Sequence, residues 1–167
     1  MPATVDIREW NGPTTGPTYT VKTNGTVRFK NADDPNVDTN NPLVVPSSGS
    51  DFSFVKWLRL YIGATGPAVE ITNLRFYTDG TNDLGTGILL WCKNNASYGG
   101  PTEPTSTTGY TDAFTYTSAS PLNLGAGPYT GTDVDIGDFV EIFAEVQSTA
   151  SNGQTPTETL TFAYDEI

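Results

Sequence analysis

The chain has 167 residues, with 8 Lys and Arg against 19 Asp and Glu, a formal net charge of -11 and no histidine. That balance excludes a nucleic-acid reader, because phosphates would be repelled over most of the surface. The missing imidazole excludes Ser-His-Asp and Cys-His catalysis and every His-ligated metal site, so an enzyme here would have to work with carboxylates, Lys or Tyr.

The length suits one domain spanning residues 1–167. Its opening, MPATVDIREWNG, has neither the basic start nor the apolar core of a signal peptide. No apolar run is long enough to be read as a membrane-spanning helix, and the expectation is a soluble chain made in the cytoplasm. Strands are predicted near 3–9, 17–23 and 26–30, the last two joined through Asn24-Gly25, the residue pair favoured in a type I′ hairpin. From Asn31 to Asp51 there is no strand period, and the stretch reads as a long surface loop. Within it Asp33, Asp34 and Asp38 surround a proline, as turn caps do.

In the next strand, 52–62, Phe54, Leu58, Leu60 and Ile62 alternate with Val55, Trp57, Arg59 and Tyr61. Two covers are open for that second face: a loop of the same chain, or another subunit. Strands follow near 69–78 and 86–93, the latter holding Cys92, the one cysteine, which reads as a small buried hydrophobe. A second long loop runs from Lys93 to Tyr110, then strands near 111–117, 139–147 and 157–165. In the last, Leu160, Phe162 and Tyr164 alternate with Thr161, Ala163 and Asp165, which predicts an integral strand. The expected fold is all-β: a single antiparallel β-sandwich, jelly-roll-like, with two long surface loops. Its core is expected to hold Leu58, Leu60, Leu74, Phe76, Val140, Ile142, Val146, Leu160 and Phe162.

Candidate sites are sparse. Asp79, Asn82 and Asp83 offer oxygens to a Ca²⁺, but the loop lacks the EF-hand spacing and its Gly residues suit a strand connection. Asp133 and Asp135 lie about 6.6 Å apart if extended and read as a solvated edge. Glu141 and Glu145 share a strand face about 13 Å apart, too far for a glycosidase pair. No catalytic residue, metal site or cofactor is expected. Trp57, Arg59, Tyr61, Arg75 and Tyr77 lie on strand faces opposite the core residues and are the expected contact residues of a subunit interface.

Four segments, NGTVRFKNADDPNVDTNNPLVVP, FVKWLRLYIG, ITNLRFYTDGTNDLGTG and ETLTFAYDEI, resemble a group of small virion structural proteins of tailed bacteriophages, and the likeness covers most of the chain. More loosely the chain is similar to the decoration, or cement, proteins on the outside of icosahedral phage heads, several of which are β-sandwiches or jelly rolls and act as trimers. The resemblance implies a homotrimer bound to the major capsid protein on the capsid exterior, without catalysis, nucleic-acid or membrane contact. Two rivals are a head-to-tail connector or tail-attached protein, and a carbohydrate-binding module using Trp10, Trp57, Tyr98 or Tyr110 as an exposed stacking platform and an acidic loop for Ca²⁺.

Overall fold

The computed structural model describes residues 3–64, 70–153 and 156–167. Short runs of β-branched and aromatic residues between turn clusters form ten strands among these residues: β1 (Thr4–Asn11), β2 (Thr18–Val21), β3 (Ser50–Phe52), β4 (Lys56–Ala64), β5 (Ile71–Tyr77), β6 (Ile88–Asn95), β7 (Thr111–Asp112), β8 (Leu122–Gly125), β9 (Val134–Gln147) and β10 (Thr161–Glu166). A seven-stranded sheet runs β2-β1-β4-β9-β6-β7, with β3 also paired to β9, and a three-stranded sheet runs β10-β5-β8. The pairings within both sheets are antiparallel. The two pack face to face as a β-sandwich.

Because side chains alternate across a strand, the even residues of β4 and β9 face the small sheet. Leu58, Leu60, Ile62, Val140 and Ile142 meet Leu74 and Phe76 there in one core. The odd residues Trp57, Phe139 and Phe143, with Val55, form a second cluster on the outer face of the large sheet. β9 is therefore buried without a break from Phe139 to Val146.

Three strands do not cover seven. The segment after β2 completes the inner face, laying Val27, Phe29 and Leu43 on the core beside the small sheet. The loop after β6 lays Tyr98 and Tyr110 on the outer cluster. Both are tied down where β3 and β4 part: Phe54 N–H donates to Lys30 O (3.1 Å) and Val55 N–H to Thr102 O (2.8 Å).

Several sequence expectations are corrected. The stretch 26–30 is not a strand, and β2 pairs with β1 instead. Positive φ falls on Asn24 alone (54°), Gly25 N–H closes the turn on Lys22 O, and the buried Lys22 ammonium then binds Thr26 O and Pro35 O. Those bonds draw the chain across the sheet rather than alongside it. The expected strand at 111–117 is two residues followed by a 3₁₀ turn at Ala113–Thr115, capped by Asp112. β8 has no counterpart among the strands expected from the sequence. Leu160, just before β10, and Phe162 within it are half-buried rather than core, because β10 is an edge strand, although Phe162 packs edge-on against Phe76 (5.3 Å). The other seven expected core residues are buried.

Ile142 has no exposure. Ile142→Ala is expected to cost about 2–5 kcal/mol in chemical denaturation, because a cavity opens between two covered faces. Truncation after Pro156 removes β10 and bares one side of β5; expression trials should recover no soluble folded protein.

Candidate functional site

The outer face carries a groove of about 380 Å³ between the large sheet and the 93–110 loop, with Val55, Trp57 and Glu141 among its lining and Thr102, Pro104 and Tyr110 among its walls. The loop is held by specific bonds. Trp57 Nε1 donates to Gly100 O (2.9 Å), and Tyr98 Oη donates to Gly12 O (2.6 Å). Gly99 allows the close approach, since a Cβ there would lie 2.8 Å from Cη2 and Cζ2 of Trp57.

Among the described residues Glu141 is the one carboxylate lining the groove, and it is buried. Its Oε1 accepts from Tyr110 Oη (3.0 Å), its Oε2 accepts from Asn95 Nδ2 (3.0 Å), and Lys93 Nζ stands 3.4 Å away over the Tyr110 ring. Burial first, then the Glu141 charge and hydrogen bond, push the Tyr110 phenol up, so it stays a donor. Farther along β9, Glu145 accepts from Ser50 Oγ (2.5 Å) and Trp91 Nε1 (2.7 Å). Each carboxylate thus closes a packing arrangement. The groove has no second carboxyl for acid-base work among the described residues.

The five expected interface residues do not form one patch. Trp57 is 2% exposed, inside the outer cluster. Arg59 is half-buried, with Nε donating to Gly137 O (2.8 Å) and its guanidinium over the Phe139 ring. Tyr61 lies on the same face, its Oη donating to Asp133 (2.6 Å). Arg75 and Tyr77 alternate with the core residues Leu74 and Phe76, so they belong to the outward face of the small sheet, on the other side of the sandwich. Arg75 pairs with Asp165 (2.6 Å). For the Trp57 face, a loop of the same chain is the cover.

Sequence reasoning missed Arg8, whose guanidinium lies between the Tyr19 and Tyr61 rings and pairs with Asp135 (3.3 Å). Nothing within β1 alone signals a cation held between rings from two other strands. Tyr98 packs on Trp10 and on Trp57, all three pack on Phe139 at tilted or edge-on angles, and Tyr110 packs edge-on against Phe143. They make a cluster, not a flat exposed platform.

The acidic loops serve their own turns. Asp79 Oδ1 accepts from Thr81 N–H, Asn82 Oδ1 from Leu84 N–H, and Asn82 Nδ2 donates to Ile88 O, while Asp83 N–H donates to Glu158. Among the described residues no group of three or more His, Cys, Asp or Glu is arranged to hold a metal ion. Cys92 is buried, and burial, with Asp112 nearby, pushes its thiol up to about 12; it is not poised as a thiolate.

The charged centre of the molecule lies on the inner face. Glu9, without exposure, accepts from Lys56 Nζ (3.0 Å) and faces Lys22 Nζ (3.4 Å). Lys56 also donates to Asp34 O (2.8 Å). Lys30 Nζ, equally buried, donates to Asp34 Oδ1 (2.8 Å), Asp38 Oδ1 (3.1 Å) and Asn36 O (3.2 Å). Burial pulls the Lys30 pKa down, but the hydrogen bonds and charges of Asp34 and Asp38 outweigh it and raise the pKa. The Lys30 hydrogen bond leads in holding Asp34 below the usual carboxylate value, against the opposing effect of burial.

Two outcomes follow from this network. Glu9→Ala leaves two buried ammonium groups without their carboxylate and should cost about 3–5 kcal/mol in urea unfolding. Asp34, with its lowered pKa, contributes stability that is full above its unfolded pKa and lost as pH falls through the folded one, whereas the raised Lys30 contribution is lost only on the alkaline side. In melting scans from about pH 6 to about pH 2, Asp34→Asn should therefore start less stable and decline less steeply than the parent.

Comparison with known proteins finds no family model, no curated protein and no solved structure that matches this chain.

Proposed function

We propose that the chain is a decoration protein of a tailed-bacteriophage head, binding the outside of the shell and stabilising it through interfaces without catalysis. The resemblance of four segments to small phage virion proteins supports this reading, and the β-sandwich fold agrees with it. The observation that carries it is how the reactive and charged side chains are used. Among the described residues, every Lys and Arg except Arg28 has an ion-pair or hydrogen-bond partner within the chain. The groove carboxylate is likewise engaged by its own loop. With a net charge of -11, the chain presents an anionic exterior suited to docking on a complementary surface.

Such a protein acts by mass action, because binding the assembled shell but not its separated subunits shifts the equilibrium toward the shell. Modest affinity per copy suffices where several attachments act together. Quantitative mass spectrometry of purified virions tests the reading. On the order of hundreds of copies per particle is the expected result for a symmetric shell. About a dozen would instead assign the chain to the neck or tail, and its absence from the particle would overturn a virion role.

A further inference from the structure

Among the described residues β2 is an outer strand of the large sheet, hydrogen-bonded to a neighbour on one side only. Its register with β1 pairs Thr20 with Glu9 and Thr18 with Asn11, and Lys22 N–H donates to Ile7 O (2.7 Å). In an antiparallel ladder the bonded residues alternate, so Thr18 and Thr20 bond toward β1, while Tyr19 and Val21 turn their N–H and C=O groups to the open side. The same two side chains are 50% and 51% exposed, among the largest exposed apolar groups of the chain.

Open strand edges are ordinarily protected by charge, bulges or shortness. β7 has two residues and β3 has three. β10 carries Asp165 and Glu166 and a register shift, and the pairing of β8 is also shifted. β2, with the sequence TYTV, has no charge and no shift in its register with β1. On a chain of net charge -11, an uncharged strip is where a second copy meets the least repulsion.

We propose that β2 is a self-association edge, pairing antiparallel with β2 of a second copy about a twofold axis through Thr20. That register is self-complementary. Tyr19 opposes the second copy's Val21 and Val21 its Tyr19, so all the outward backbone groups of both residues find partners and each ring packs on a valine. The contact is twofold, not the threefold one expected from the resemblance, and it joins two seven-stranded sheets into one. Four residues a side bury less than the roughly 1,200 Å² of a stable interface, so the pairing is reversible and concentration-dependent.

Cysteine trapping tests it on the full chain, since native Cys92 is buried. At the axis Thr20 faces its symmetry mate in a non-hydrogen-bonded pair about 4.5 Å apart between Cα atoms, within reach of a disulfide. Thr18 lies about 13 Å from its mate in the same register, out of reach. Thr20→Cys should therefore oxidise to a covalent dimer at least about tenfold faster than Thr18→Cys. Adding Val21→Pro, which removes an outward N–H and leaves the β1 bonds intact, should bring the rate down to that of Thr18→Cys. Sedimentation of the wild type should show a monomer-dimer equilibrium that Val21→Lys abolishes with its melting temperature preserved. Equal trapping rates at the two positions, no effect of Val21→Pro, or a wild type that sediments as a monomer or a trimer at every concentration would overturn the proposal.

Discussion

Three residues separate β3 from β4, and the N–H groups of two of them turn from the sheet to the loops. Ser53 N–H stays on Ala144 O of the central strand, Phe54 N–H takes Lys30 O, and Val55 N–H takes Thr102 O. One interruption thus fastens the cover of each face of the large sheet. The covers are needed because the large sheet is apolar on both faces along β4 and β9, and the small sheet screens only part of one. An antiparallel sheet with one wet face would need neither long loop. This one needs both, and their anchor points are adjacent residues.

Covering a sheet with loops rather than strands brings unpaired backbone carbonyls into the interior, where each needs a donor. Long amines can supply one, because a lysine stem packs along apolar surface while its ammonium reaches several oxygens. Lys22, Lys30 and Lys56 do this for Thr26, Pro35, Asn36 and Asp34. Glu9 and the loop carboxylates then balance the charge. A buried ion network of this kind contributes little net stability over a well-packed apolar one, but breaking it is costly. On the outer face Glu141 and Glu145 are the buried charges, and they gather neutral donors from Tyr110, Asn95, Ser50 and Trp91, with the Lys93 ammonium 3.4 Å from Glu141.

Period-two alternation made the central strands and most core positions readable from the residues, since Val140, Ile142 and Val146 need only their own strand to declare a face. What it does not carry is the identity of the cover. Trp57 and Arg59 alternate just as interface residues would, and only the distant tyrosines of the 93–110 loop decide that the face is internal. Asn24-Gly25 has the composition of a tight hairpin, yet the path after it is governed by where Lys22 buries its ammonium, a fact of tertiary structure. β8 is four residues long, and its strand character comes from pairing with β5. The candidate groove was legible only as a long loop, because its floor and walls come from β4, β6, β9 and the loop itself. In each case the missing information lies in a partner remote in sequence.

The loop around Lys30 has a further consequence. Asp34, Asn36 and Asp38 stand at every second position and turn oxygens inward on one ammonium, while Asp34 and Asp38 also accept the N–H groups of Asn36 and Asn40. Alternate oxygen donors around a central cation is how calcium loops are organised. Here the cation is tethered to the chain, so its local concentration is set by a four-residue spacing rather than by the medium. The cation that organises the loop is supplied by the polypeptide itself, so its order should not depend on chelators or on the divalent-ion content of the surroundings, which for calcium-dependent surface loops dictates where they can work.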